Sequence, residues 1–488
     1  MVDDMGWQDT SVPFWTQRTP LNTKYETPNM ERLASRGMLF TQAYASPISS
    51  PSRCSLLTGS NAARHHVTNW TFRRGQMTDE QDDQLAPPEW NYHGICQIGD
   101  TPNTFVARTF VDILHKAGYH TIHCGKAHWG AQDTPGERPE HFGFDVNIAG
   151  HAAGGPATYL SERNFGYGAD GQPEAPFAVP GLQKYWDTGT FLSEALTREA
   201  LAALDSRSDG KPFFLYLSHY AVHIPIDRDM RFYAKYRAKG LSEKEASYAS
   251  LIEGVDKSLG DILDWLEHSG EAERTIVLFM SDNGGYATGR EWRDEPLYTQ
   301  NAPLRSGKGS LLEGGIREPM IVSWPGVVEG ATRCDSYLII EDFFPTILEM
   351  AGIHHYRVPQ AIDGRSFVPL LKNTQTRNGK LSKGKRKDPS YGRTLIWNYP
   401  HVWGNQGPGI DNNCAIRQGD FKLIYSYKTG RKELYDIRHD IGEQHDLAAE
   451  HPDLVRRLSR QLGRRLRAMK AQRPVYKATG QPCPWPDE

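Results

Sequence analysis

Ser49-Ser50-Pro51-Ser52-Arg53-Cys54-Ser55-Leu56-Leu57-Thr58-Gly59 is the stretch around which the chain is organised. Ser49, Ser50 and Ser52 crowd its front, Pro51 stiffens it, and Arg53 follows. The apolar pair Leu56-Leu57 leads into Thr58-Gly59. This pattern predicts a polar turn running into a short helix. A helix start offers free N–H groups and a positive dipole end, which favour an anion. Arg53 adds a planar, permanently charged fork suited to oxyanions.

Outward from this stretch, apolar strands alternate with helices. Strands are predicted at Met38–Tyr44, His120–Cys124, Phe213–Leu217, Thr275–Met280 and Met320–Ser323, and helices at Thr104–Ala117 and Ser242–His268. In the last of these, Ser242 and Glu245 form a capping box, and Tyr248, Leu251, Ile252, Val255, Leu259, Ile262 and Leu266 keep a helical period. Polar residues gather just past the carboxyl ends of the strands. That is the pattern of an α/β protein with a large, mixed, mostly parallel sheet sandwiched by helices, its site at the strand ends. Residues 1–375 form this domain, and residues 376–392 read as a basic linker. Residues 393–488 read as a smaller C-terminal α+β subdomain of antiparallel strands with one amphipathic helix, Pro452–Met469.

A net charge of -3 in 488 residues gives no global field to draw the chain to nucleic acid. No apolar run approaches the roughly 18 residues of a membrane span. The six cysteines are scattered and show neither a disulfide framework nor metal-ligand spacing. Two acidic pairs do stand out, Asp3-Asp4 and Asp282-Asn283, and hard divalent cations take oxygen ligands of this kind. Basic groups follow predicted strands at Lys126 and His128, at His223, and at Lys308.

Ser49 to Gly59 resembles the signature of the type I sulfatases: Cys or Ser, any residue, Pro, Ser, Arg, three residues, then Leu, Thr and Gly. Gly125-Lys126-Ala127-His128, His223-Ile224-Pro225 and the block from Pro303 to Arg317 resemble further landmarks of that family, and the likeness covers nearly the whole chain. It implies an alkaline phosphatase-like fold and hydrolysis of sulfate monoesters on a carbohydrate, as an exo-acting O-sulfatase of host or marine glycans. It implies formylglycine made from Ser49 by an anaerobic, radical-type maturing enzyme of bacteria. It assigns Asp3, Asp4, Ser49, Asp282 and Asn283 as ligands of Ca2+, with Mg2+ as the alternative. Arg53 and Lys126 would steady the nucleophile, and Lys308 and His223 would hold the sulfate. His223 would protonate the departing oxygen and His128 would take a proton from the hydrate.

The resemblance also implies an apolar strand running into Asp3-Asp4. None precedes Met1 here, so the expectation is a shortened form of a longer periplasmic or secreted protein, its signal peptide lost with the strand. Arg73, Arg74, His93, His401 and Trp403 are the candidate sugar contacts. Two other readings stay open: a phosphoesterase or phosphonate hydrolase of the same superfamily, and a non-catalytic binder of sulfated glycans.

Overall fold

The computed structural model describes residues 1–99, 101–207, 210–286, 301–372, 393–404 and 407–488. The expected basic linker, 376–392, lies outside the described residues.

Among the described residues, the central sheet of the large domain comprises eight strands: β1 (Met38–Tyr44), β2 (His120–Gly125), β3 (Val146–Ile148), β4 (Phe213–Ser218), β5 (Val277–Met280), β6 (Arg317–Ser323), β7 (Thr332–Cys334) and β8 (Leu338–Ile339). β2 pairs in parallel with β3 and β4. β1 pairs in parallel with β7 and β8, while β6 runs against both β1 and β5. The sheet is thus mixed, with β6 as its reversed strand.

Met1–Asp3 lies between β4 and β5 and ties the two halves together. Met1 N donates to Leu217 O at 2.9 Å, and His219 N donates to Met1 O at 3.1 Å. On the other side, Val2 N donates to Met280 O at 3.0 Å and Asp282 N to Val2 O at 3.1 Å. A cavity of about 590 Å3 continues in line beyond Met1, between the facing edges of β4 and β5.

Alternation along β5 and β6 sends side chains to two helical layers. Phe279 and Ile321 join the core formed with α1 (Pro28–Arg36), α4 (Leu192–Asp205) and α5 (Glu243–His268). Met280, Met320 and Val322 join the core formed with α2 (Ser49–Thr58), α3 (Phe110–Lys116) and α6 (Phe343–Met350). Both faces of the sheet are covered, which explains why these strands read as continuous apolar runs. α5 begins as its capping box predicts, with Ser242 accepting from Glu245 N. The expected helix Thr104–Ala117 is shorter. Phe105–Val106 pairs with Ile95–Cys96, and Thr109 caps α3 by accepting from Asp112 N.

The C-terminal subdomain is an antiparallel meander of β9 (Thr394–Tyr399), β10 (Asn413–Gln418), β11 (Phe421–Ser426) and β12 (Lys432–Asp436). One face packs Ile416, Leu423 and Leu434 against Leu458, Leu462 and Leu466 of α7 (Pro452–Ala468). Each of those three leucines is fully buried, worth about 1.5–3 kcal/mol apiece. The other face packs Leu395, Trp397, Ala415 and Ile424 against Tyr44, Leu311, Leu312 and Ile316 of the large domain. The subdomain therefore backs the segment that carries Lys308.

Glu341, buried in the turn before α6, accepts from Asn61 Nδ2 at 2.8 Å. Burial and the neighbouring Asp342 raise its carboxyl from 4.5 to about 8. An acid that ionises less readily when folded stabilises most below 4.5, and the benefit drains away as pH rises to about 8. Glu341→Gln should therefore leave the thermal midpoint unchanged near the low end of that window. Above it, the variant should melt several degrees higher than the parent in a pH-resolved melting series.

Candidate active site

α2 is buried over its whole length, and its first residue, Ser49, stands at the carboxyl end of the sheet. Gly59 closes the helix in the left-handed region (φ 68), where a Cβ would lie 2.9 Å from Phe344. A side chain there is excluded by both conformation and space.

Ser49 Oγ lies 3.1 Å from Asp3 Oδ1 and 3.1 Å from Asn283 Oδ1, and Lys126 Nζ donates to it at 3.0 Å. Three elements deliver these groups: the strand tip Met1–Asp3, the turn after β5, and the turn after β2. Lys126 Nζ also reaches Asp3 Oδ2 at 2.7 Å. Asp4 N donates to Asp282 Oδ1 at 3.2 Å, and Asn283 Nδ2 donates to Asp4 Oδ1 at 2.8 Å. Lys308 Nζ sits 2.8 Å from Asp4 Oδ2 and 5.4 Å from the ring centre of Trp403.

Arg53 does more than the sequence suggests. It is fully buried and gives Nε to Asp282 Oδ2 at 2.8 Å. One terminal nitrogen donates to Ser218 Oγ at 2.6 Å and to Lys126 O at 3.2 Å. Its other terminal nitrogen is buried without a hydrogen-bond partner among the described residues and lies 3.8 Å from Asp3 Oδ1. A guanidinium held in this way is a fixed brace for the acidic cluster.

Carboxylate oxygens of Asp3, Asp4 and Asp282 lie within 4.8 Å of one another. Burial pushes Asp3 up to about 8, with Asp282 and Asp4 adding to the rise and Lys126 opposing it. Asp282 is also penalised by burial, but Arg53, Lys126 and Lys308 outweigh that and hold it well below the usual range. Burial lowers Lys126 to about 8. An all-oxygen donor set of three crowded carboxylates and the Asn283 amide oxygen fits a hard divalent cation, which would hold Asp3 ionised.

The two histidines have assigned tautomers. His128 Nε2 lies 2.9 Å from the Thr71 carbonyl, so Nε2 carries hydrogen and the buried Nδ1, without a partner among the described residues, carries the lone pair. His223 Nδ1 lies 2.7 Å from the Ile224 carbonyl, which leaves Nε2 facing Asp4 Oδ2 at 3.9 Å. Burial and the positive side chains lower both, His223 to about 3.

The candidate sugar contacts divide. Trp403 adjoins Lys308, and its Nε1 is buried without a partner among the described residues. His93 is engaged by Gly75 N and the Pro102 carbonyl, and His401 by Asp79 and Thr68. Their rings brace loops. Arg73 and Arg74 are exposed, Arg73 over the Phe72 ring and Arg74 donating to the Asp133 carbonyl.

Comparison with known proteins agrees with this architecture. Residues 1–353 match the sulfatase family model, and residues 307–472 match the model of the N-sulphoglucosamine sulphohydrolase C-terminal region. A sulfatase of Formosa agariphila is 29% identical, the match covering 93% of this chain and 84% of the relative. The human N-acetylgalactosamine-6-sulfatase is 29% identical over 94% of this chain and 83% of its own. Among solved structures, Ps i-CgsB in complex with k-i-k-neocarrahexaose aligns over 95% of this chain and 91% of its own, at TM-score 0.72 and 25% identity. A chain solved with its substrate D-glucosamine-2-N,6-O-disulfate aligns over 96% of this chain and 97% of its own, at TM-score 0.63 and 20% identity, and so bears on the fold alone. The chain belongs to the sulfatase family of sulfuric ester hydrolases, built on the alkaline phosphatase-like fold.

Proposed function

We propose that this enzyme removes O-sulfate from a carbohydrate, acting at chain ends, with formylglycine at position 49 and a divalent cation, Ca2+ in preference to Mg2+. The observation that carries the reading is the convergence of Asp3, Asn283 and Lys126 on Ser49 Oγ at 3.0–3.1 Å. The carbohydrate class is taken from two similar proteins, one named N-acetylgalactosamine-6-sulfatase and one solved in complex with k-i-k-neocarrahexaose.

In this reading a radical-type maturing enzyme oxidises the Ser49 hydroxymethyl to an aldehyde, accepting the two electrons and two protons that leave. Formylglycine at position 49 would supply, as its hydrate, one hydroxyl ionised beside the cation as the nucleophile toward sulfur, and a second whose proton is removed when sulfate leaves. Asp3, Asp4, Asp282 and Asn283 would hold the cation, which supplies Lewis-acid polarisation of the sulfuryl oxygens. Lys126 Nζ orients the nucleophilic oxygen. Lys308 Nζ faces the charge that spreads over the sulfuryl oxygens. An anionic ester beside Lys308 and Lys126 offsets their charge and raises His223, whose Nε2 then gives a proton to the sugar oxygen as the S–O bond breaks. His128 Nδ1, with its lone pair free, accepts the proton from the second hydroxyl. Trp403 offers a face for the sugar ring beside Lys308. A periplasmic or secreted location goes with such substrates.

Sulfate release from a panel of sulfated mono- and disaccharides, set against matched phosphate esters, tests the reading. Sulfate esters should be preferred, and equal or better phosphate hydrolysis would favour the phosphoesterase alternative. Replacing His128 or His223 by alanine should cost roughly 10²–10⁴-fold in kcat. For His223 the loss should shrink with esters whose leaving group needs no proton.

A further inference from the structure

One short run of backbone touches both imidazoles. A Cβ on Gly154 would lie 2.4 Å from His128 Cε1 and 2.7 Å from its Nε2. A Cβ on Gly155 would lie 2.5 Å from His223 Nδ1 and 2.7 Å from its Cε1. Both glycines are buried, and neither has the left-handed backbone that would itself demand glycine. What excludes a side chain at these two positions is the space already taken by the rings.

The run is anchored to both histidines. His128 N donates to the His151 carbonyl at 3.3 Å. Further along, Tyr159 Oη lies 2.8 Å from the carbonyls of both Tyr220 and His223, which share its one hydrogen. The wall formed by Gly154 and Gly155 is therefore tied to the backbone near each histidine, and each ring fills the space where a Cβ would stand. A methyl at Gly154 would push the His128 ring off the Thr71 carbonyl, and that bond sets which nitrogen holds the lone pair. A methyl at Gly155 would push His223 off the Ile224 carbonyl and so re-aim Nε2.

We propose that Gly154 and Gly155 are positioning residues, each seating one of the two proton-transferring imidazoles, so that adjacent residues govern the two halves of the reaction separately. This rests on the roles given above to His128 and His223.

The test uses Gly154→Ala and Gly155→Ala with phenyl sulfate and para-nitrophenyl sulfate, whose leaving groups differ in basicity. Gly155→Ala should lower kcat/KM about 10²-fold on phenyl sulfate and about tenfold less on the nitrophenyl ester. Gly154→Ala should leave the first release of nitrophenol intact and slow later turnovers about 10²-fold, so that a burst appears and KM falls together with kcat, leaving kcat/KM nearly unchanged. ¹⁵N spectra of labelled histidine should show Gly154→Ala moving the His128 resonances and Gly155→Ala those of His223. Equal losses on both esters, absence of a burst, or wild-type kinetics in both variants would overturn the proposal. If the parent enzyme hydrolyses neither ester and none of the sulfated sugars of the panel, the functional reading fails by itself. The histidine spectra still decide the seating: shifts confined to the matched ring support it, and shifts in both rings or neither refute it.

Discussion

Replacing Ser49 by alanine is expected to reduce kcat by about 10⁶-fold, the scale on which removal of an enzyme nucleophile acts. The variant should melt within about a degree or two of the parent, because the hydroxyl makes its contacts only inside the site. Lys126 and Asp3 keep each other as partners when Oγ is gone, and Asn283 keeps Asp4. Sulfate release followed by ion chromatography, paired with a melting curve, separates loss of chemistry from loss of fold. A residual rate within tenfold of the parent would mean that another group attacks sulfur.

The second large effect is structural. Lys422 on β11 is fully buried, with Nζ 2.8 Å from Glu313 Oε1, 2.6 Å from Glu443 Oε1 and 3.0 Å from the Leu311 carbonyl. Glu313 in turn accepts from Tyr44 Oη at 2.6 Å and Arg317 at 3.2 Å. Lys422→Met strands two buried carboxylates and should cost about 3–5 kcal/mol. For a chain of 488 residues that is a fall in thermal midpoint of about 3–5 °C. Adding Glu443→Gln removes one stranded charge and should recover part of the loss. Because the cluster clamps Leu311–Glu313 next to Lys308, activity should also fall in Lys422→Met below its melting range. Unchanged melting would show that the C-terminal subdomain does not hold the lysine segment through this cluster.

The site was legible where chemistry is written locally. Asp3-Asp4 and Asp282-Asn283 are adjacent pairs beside strands, and the serine–arginine signature is one helix with its own glycine stop. Strands β4 and β5 were visible because burial on both faces leaves an unbroken apolar run. The helix over Thr104–Ala117 was overextended because apolar spacing alone cannot place a start. Thr109 and Asp112, three apart, carried the capping signal that locates it. Contacts made across the chain were not legible. Lys422 reads as one lysine of an exposed-looking strand, and its acids lie more than a hundred residues earlier and twenty later. His93 and His401 read as rim contacts because aromatic loops near a signature suggest sugar, whereas their ring nitrogens are engaged by loop backbone, Asp79 and Thr68. Gly154 and Gly155 carried no sign of their neighbours, since glycine pairs in loops are common and only coordinates show what fills the space beside them.

The most direct test of the account is the mass of the peptide carrying residue 49, taken from protein produced alongside a radical-type maturing enzyme. The account predicts a species about 2 Da lighter than the serine peptide, from loss of two hydrogens, in proportion to specific activity. Full sulfatase activity from protein whose residue 49 is unmodified serine would contradict it.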